Sequence, residues 1–178
     1  ADGLYRGETS FLDWRGQSYP TWTSQDTVHI AMSKALSTNL AHLKLLRMIE
    51  DPQATSLEAA IEAAFWDGSG YRSTLGTPLD GSAPARVDLL ATALAILDLG
   101  THPEALAGYP FAAGGPPVIW PQQPFTPIYH NRATWPFVTA YALLAARKAD
   151  NALAFNEAFQ SLVKGAAKHL SHMENMEY

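Results

Sequence analysis

Five stretches of this chain place apolar residues three and four positions apart, and that period commits most of the sequence to helices. Val28, Met32, Ala35, Leu36, Leu40, Leu43, Leu46 and Ile49 predict an amphipathic helix capped by Ser24 and ended before Pro52, with a break at Ser37-Thr38 in keeping with the pattern. Ser56 offers the cap of a second helix through Trp66, carrying Leu57, Ala60, Ile61, Ala64 and Phe65 on one face. Asp67-Gly68-Ser69-Gly70 stops that helix, and residues 71–75 read as a short extended piece. A third helix is expected from Pro84 to Leu99, closed by Gly100. Its apolar residues run most of the way round, which implies burial on several sides. A helical turn follows over 103–107, and helices return over 134–148 and 151–172. Strand signals are minimal. The expectation is an all-α chain in which helix follows helix in hairpin order, within one helical domain over 1–178.

Charge and composition narrow the function classes. Lys and Arg number 12 against 17 Asp and Glu, a net charge of −5 with no basic run, so nucleic acid is a poor partner. The chain has no cysteine, which removes disulfides, thiol nucleophiles and thiolate zinc sites together. His169 and His172 stand three apart on the last helix without further ligands in register, and no metal or other cofactor is expected. Gly114-Gly115 runs into Pro116-Pro117, which strips the N–H donors that a phosphate loop requires. The most apolar stretch, 89–99, is interrupted by Asp98 and falls short of the roughly 20 residues that span a bilayer. No charged segment followed by an apolar one opens the chain. Ala1-Asp2 is compatible with the start of a processed protein, and a periplasmic or secreted location is the favoured expectation.

Two segments break the helical period. Residues 1–23 are rich in glycine, aromatic and polar side chains, and half of the chain's 12 prolines fall between 108 and 130. Irregular segments of that length inside a compact domain are commonly functional. The first combines Glu8, Asp13, Arg6, Arg15 and Gln17 with Tyr5, Phe11, Trp14 and Tyr19, and Trp22 follows. Sugar sites need this mixture, because aromatic faces stack on C–H surfaces while planar polar groups fork onto hydroxyl pairs. A glycosidase also needs a carboxyl that stays protonated at working pH, and apolar surroundings raise a carboxyl pKa. Asp13, between Leu12 and Trp14, is the natural candidate; the alternative is that it pairs with Arg15 or Arg6 to pin the loop. The second segment offers Trp120 as a stacking platform and ends in Tyr129-His130-Asn131-Arg132-Ala133-Thr134-Trp135-Pro136. Pro136 suits a first helical turn and Asn131 or Thr134 could cap it, with His130, Asn131 and Trp135 at the helix mouth. There too His130 and Asn131 could simply satisfy loop backbone. Trp66 reads as core and His42 as a half-buried histidine.

The segments YRGETSFLDWRGQSYPTW, SKALSTNLAHLKLL and PIYHNRATWPFVTAYALLAA, taken in order, resemble the six-hairpin glycosidase superfamily of (α/α)6-toroid glycoside hydrolases. The resemblance implies a toroid of inner and outer helices with its active-site loops at one end. It implies Asp13 as general acid, Glu8, Trp14 and Arg15 lining the sugar subsite, and His130, Asn131 and Trp135 in the wall that leads into an inner helix. It further implies inversion, with two carboxyls roughly 6.5–9.5 Å apart. A full toroid needs about twelve helices and five or six are counted here, so the resemblance covers roughly half of one. Glu174 and Glu177 stand where the region of the catalytic base would begin, and neither is assigned as the base. Half a toroid leaves inner helix faces uncovered, so self-association or a companion chain is expected. The readings are therefore a hydrolase acting on an oligosaccharide, a polysaccharide lyase using Tyr129 and His130, or a glycan-binding helical module without turnover.

Overall fold

A computed structural model describes residues 2–7, 32–75, 87–111, 114–122 and 133–177. The chain forms two compact units, Ala1–Arg86 and Val87–Tyr178.

In the first unit, strand β1 (Lys34–Ala35) leads directly into helix α1 (Leu36–Met48), a short turn leads into α2 (Gln53–Phe65), and β2 (Thr74–Leu75) returns antiparallel to β1. The helix expected to run through 28–49 is thus corrected. Its backbone is extended at Lys34–Ala35, because those residues pair with Leu75 and Thr74, and Ser37 and Thr38 lie buried inside α1 rather than at a break. Ala35 caps α1 without a side-chain bond, and the Leu36 N–H donates instead to the Ser73 carbonyl at 2.9 Å. α2 begins three residues before Ser56. The Asp51 carboxylate accepts the Gln53 N–H at 2.8 Å, and the Ser56 hydroxyl donates back to the Gln53 carbonyl. The two helices pack together, burying Leu36, Leu40, Leu43 and Leu46 of α1 and Leu57, Ile61 and Phe65 of α2. Each such side chain contributes about 1.5–3 kcal/mol as it leaves water. Arg47 and Glu58 bridge the pair at 2.8 Å.

The second unit repeats this plan. β3 (Val87–Asp88) leads into α3 (Leu89–Asp98), a 3-10 turn follows at Pro103–Leu106, and β4 (Ile119–Trp120) returns antiparallel to β3. α3 starts at Leu89 rather than near Pro84, because Val87–Asp88 are in the strand pair and the Asp88 carboxylate accepts the Ala91 N–H at 3.1 Å. Gly100, at φ +76°, ends it as expected. β5 (Ala133–Thr134) then leads through Trp135 into α4 (Pro136–Lys148). α5 (Ala152–His169) follows, capped by Asn151, and β6 (Met176–Glu177) returns to β5. α4 packs on both α3 and α5. Thr134, a candidate cap, lies in β5 instead, and α4 has no side-chain cap.

Three times, then, a two-residue strand enters a helix and is clasped by a strand from further along the chain. The Leu89 N–H donates to the Val118 carbonyl at 3.0 Å, just as Leu36 donates to Ser73: the first helical residue bonds to the residue before the returning strand. In the third clasp the equivalent position is Trp135, which stands between β5 and the first helical residue, Pro136. The architecture is mainly helical, with these clasps as short antiparallel strands. Among the described residues no helix is long and apolar enough to cross a membrane.

Candidate functional site

The clasps fix the roots of the irregular segments that carry the candidate chemistry. In the first unit, Asn39 in the first turns of α1 is fully buried, and its amide holds the strap 2–7 against the helix. Asn39 Oδ1 accepts the Tyr5 N–H at 2.8 Å, and Nδ2 donates to the Tyr5 and Ala35 carbonyls at 3.2 and 2.9 Å. The Thr38 hydroxyl donates to the Gly7 carbonyl at 3.2 Å, and the Gly7 N–H donates to the Ser33 carbonyl at 2.9 Å. Gly7 sits at φ +90°, where a side chain would be strained. The Tyr5 ring stacks on half-buried His42, centroids 3.7 Å apart. Both ends of the segment from Glu8 to Met32 are therefore tied to the buried start of one helix.

In the second unit the proline-rich segment is rooted by hydrogen bonds and by close packing at Gly115. The Val118 N–H donates to the Ala133 carbonyl at 3.2 Å, which brings both ends of 119–132 to the start of α4. Tyr109 donates its buried hydroxyl to the Pro117 carbonyl at 2.6 Å, and Ser161 of α5 donates to the Gly114 carbonyl at 3.0 Å. Gly115, at φ +119°, is wedged so tightly that a Cβ there would stand 2.5 Å from both Ser161 Oγ and Thr134 Cγ2. The hydroxyl of Thr134 is buried and finds no hydrogen-bond partner among the described residues.

The two described tryptophans of the predicted set differ. Trp120, on β4, is 38% exposed. Trp135 is only 8% exposed, its ring edge-on to Phe137 with centroids 6.1 Å apart, so it serves the mouth of α4 as packing. Glu8, Asp13, Trp14, Arg15 and Trp22, with Tyr129, His130 and Asn131, lie outside the described residues. Trp66 is half-buried against Tyr71.

Three described carboxyls are held below their ordinary pKa. Asp2 is lowered first by its hydrogen bond to Lys34 and then by the Leu4 N–H. For Asp67, partial burial pushes upward, but the Ser69 and Gly70 N–H groups and the Ser69 hydroxyl outweigh it, helped by Arg72. Glu104 is lowered by its own backbone N–H and by His102. All three are turn and strap anchors that stay ionised at neutral pH, and none suits the role of a proton donor.

The sequence reading missed a cleft of about 530 Å³ where α5 meets the segment that returns to β6. Ser161, Lys164, Gly165, Lys168 and His169 form one wall; Met173, Asn175 and Met176 form the other, with Gly114 at the end. The available signal was the one-turn spacing of Lys164 and Lys168 on the face that also carries the small Gly165. Among the described residues no three His, Asp or Glu side chains converge as a metal site would require. Comparison of the chain with protein-family models and with curated proteins gave no match.

Proposed function

We propose that the chain is part of the catalytic toroid of an inverting glycoside hydrolase, with Asp13 protonating the leaving glycosidic oxygen. The observation that carries this reading is the Gly7–Ser33 closure. It returns the segment bearing Glu8, Asp13, Trp14 and Arg15 to the buried start of a helix, the arrangement a toroid enzyme needs to present loop carboxylates at one end of its inner helices. The clasped helical hairpins support the same architecture. So does α4, whose Phe137, Tyr141 and Leu144 lie on one face and remain exposed, as an inner helix without its next neighbour would. In this reading Glu8, Trp14 and Arg15 form the sugar subsite beside Asp13, and a second carboxylate activates the attacking water. Trp120, partly exposed, is the stacking platform of the second unit.

The test is product analysis by mass spectrometry after incubating the chain and its Asp13→Asn variant with a panel of neutral oligosaccharides. Water-added products are expected from the parent, and a general acid's removal should cut their rate by roughly 10²–10⁴-fold while helical circular dichroism is retained. Equal turnover by the variant, or no hydrolysis by the parent, overturns the assignment.

A further inference from the structure

We propose that the cleft between α5 and the segment leading to β6 binds a small organic dianion of the phosphomonoester class, its charge on the lysines and its body against the methionines. Size is the first argument: about 530 Å³ lies within the range of small-molecule sites, roughly 300–1,000 Å³. The second is charge. In a chain of net charge −5, the described lining holds Lys164, Lys168 and His169, and none of the described lining residues is a carboxylate. Neither lysine forms an ion pair with a described carboxylate, so both amines are available to a ligand.

Helix electrostatics do not account for this pattern. Cations near a helix C-terminus offset the dipole, but that effect is confined to the last turn and needs only Lys168 and His169. Lys164 stands a full turn earlier, on the same face, where two ammonium groups one turn apart repel unless an anion lies between them. Lysine is a point charge with three donors and suits a phosphate, which accepts from several directions.

The opposite wall sets what the anion is attached to. Met173 and Met176 line it, and Gly165 leaves the helix surface bare beneath Met176, whose Cε would lie 3.6 Å from a Cβ at that position. Flexible thioethers over a bare backbone accept a flat or irregular apolar body. Asn175 adds an amide able to donate and accept at the rim. The wall is held in place by the pairing of Met176 with Thr134, so the cleft is built from chain segments fixed to one another.

The experiment is a calorimetric titration of the full chain with phenyl phosphate, inorganic phosphate and phenylacetate. Saturable one-to-one binding of phenyl phosphate is expected, tighter than inorganic phosphate (no body) and phenylacetate (one charge). The Lys164→Gln/Lys168→Gln double variant should weaken phenyl phosphate on the order of tenfold or more, while Lys44→Gln on α1 leaves it unchanged. Both target lysines are exposed, so the fold does not depend on them. Gly165→Met, which fills the apolar side and raises helix propensity, should weaken phenyl phosphate and spare inorganic phosphate. No saturable binding, equal affinity for phenylacetate, or an unchanged double variant each overturns the proposal. Because the proposal uses none of the residues assigned to the hydrolase reading, failure here leaves that reading standing, and the reverse holds too.

Discussion

The two loop roots solve one problem differently. In the first unit a single buried amide, Asn39, reads three backbone groups on the strap and the helix start, and the contact is made of hydrogen bonds. In the second, hydrogen bonds from Val118, Tyr109 and Ser161 are joined by a steric contact, Gly115 pressed between Ser161 and Thr134 with no room for a Cβ. A hydrogen-bonded root lets its backbone groups exchange to water when the amide is lost, so its failure is local. A root closed by packing has no such fallback, since any added atom must move β5 or α5.

The sharpest way to break this contrast is Gly115→Ala. The added Cβ would stand 2.5 Å from Thr134 Cγ2 and Ser161 Oγ, and φ +119° is poorly tolerated by alanine. Overpacking and backbone strain together should cost about 3 kcal/mol or more, read as a fall in the urea midpoint. Adding Ser161→Gly, which removes one of the two opposing side chains, should recover part of the loss. A single variant as stable as the parent would show that the wedge is not a structural constraint.

Asn39→Ala should come next. It orphans the Tyr5 N–H and removes the donor to two carbonyls, a loss of about 2–3 kcal/mol. The distinguishing readout is hydrogen exchange. Amides of Tyr5 and Gly7 should speed up, whereas those of Val118 and Ile119 should not change. Equal acceleration at both roots would mean that the two are one cooperative unit rather than two separate devices.

How much of this was legible beforehand follows from the same contrast. Helices show in sequence because their period is local: α4 at Pro136, the Asn151 cap of α5 and the Gly100 stop of α3 all stand within a residue or two of their signals. The clasps do not show, because each pairs two residues with two others more than thirty positions away. That long-range pairing moved the start of α3 to Leu89 and put extended backbone at Lys34–Ala35, where apolar spacing continued unbroken. Asn39 looked like an ordinary helix residue, since nothing nearby in sequence names Tyr5 as its partner. The cleft was hidden for a related reason: its methionine wall is brought to the lysines by the β5–β6 pair and not by helical spacing.

The smallest expected effect separates the strap from its root. Lys34 pairs with Asp2 at the outer end of the strap, and Asp2 also accepts the Leu4 N–H at 3.3 Å. The Asp2 carboxyl is lowered in the folded chain, so its contribution to stability is present above its unfolded value near 3.8 and is lost as pH falls through the folded value. Because its side chain is 53% exposed, solvent screens the pair, and the loss is expected to be at most about 1 kcal/mol. As pH falls through that lowered value, then, the amide of Leu4 should shift and lose protection, while Tyr5 and Gly7, held by Asn39 and Ser33, stay protected. Lys34→Ala should raise the Asp2 midpoint toward its ordinary value without touching the Gly7 amide. If acid instead releases Leu4, Tyr5 and Gly7 together, the surface ion pair rather than the buried amide holds the root, and the contrast with the packed root of the second unit loses its physical basis.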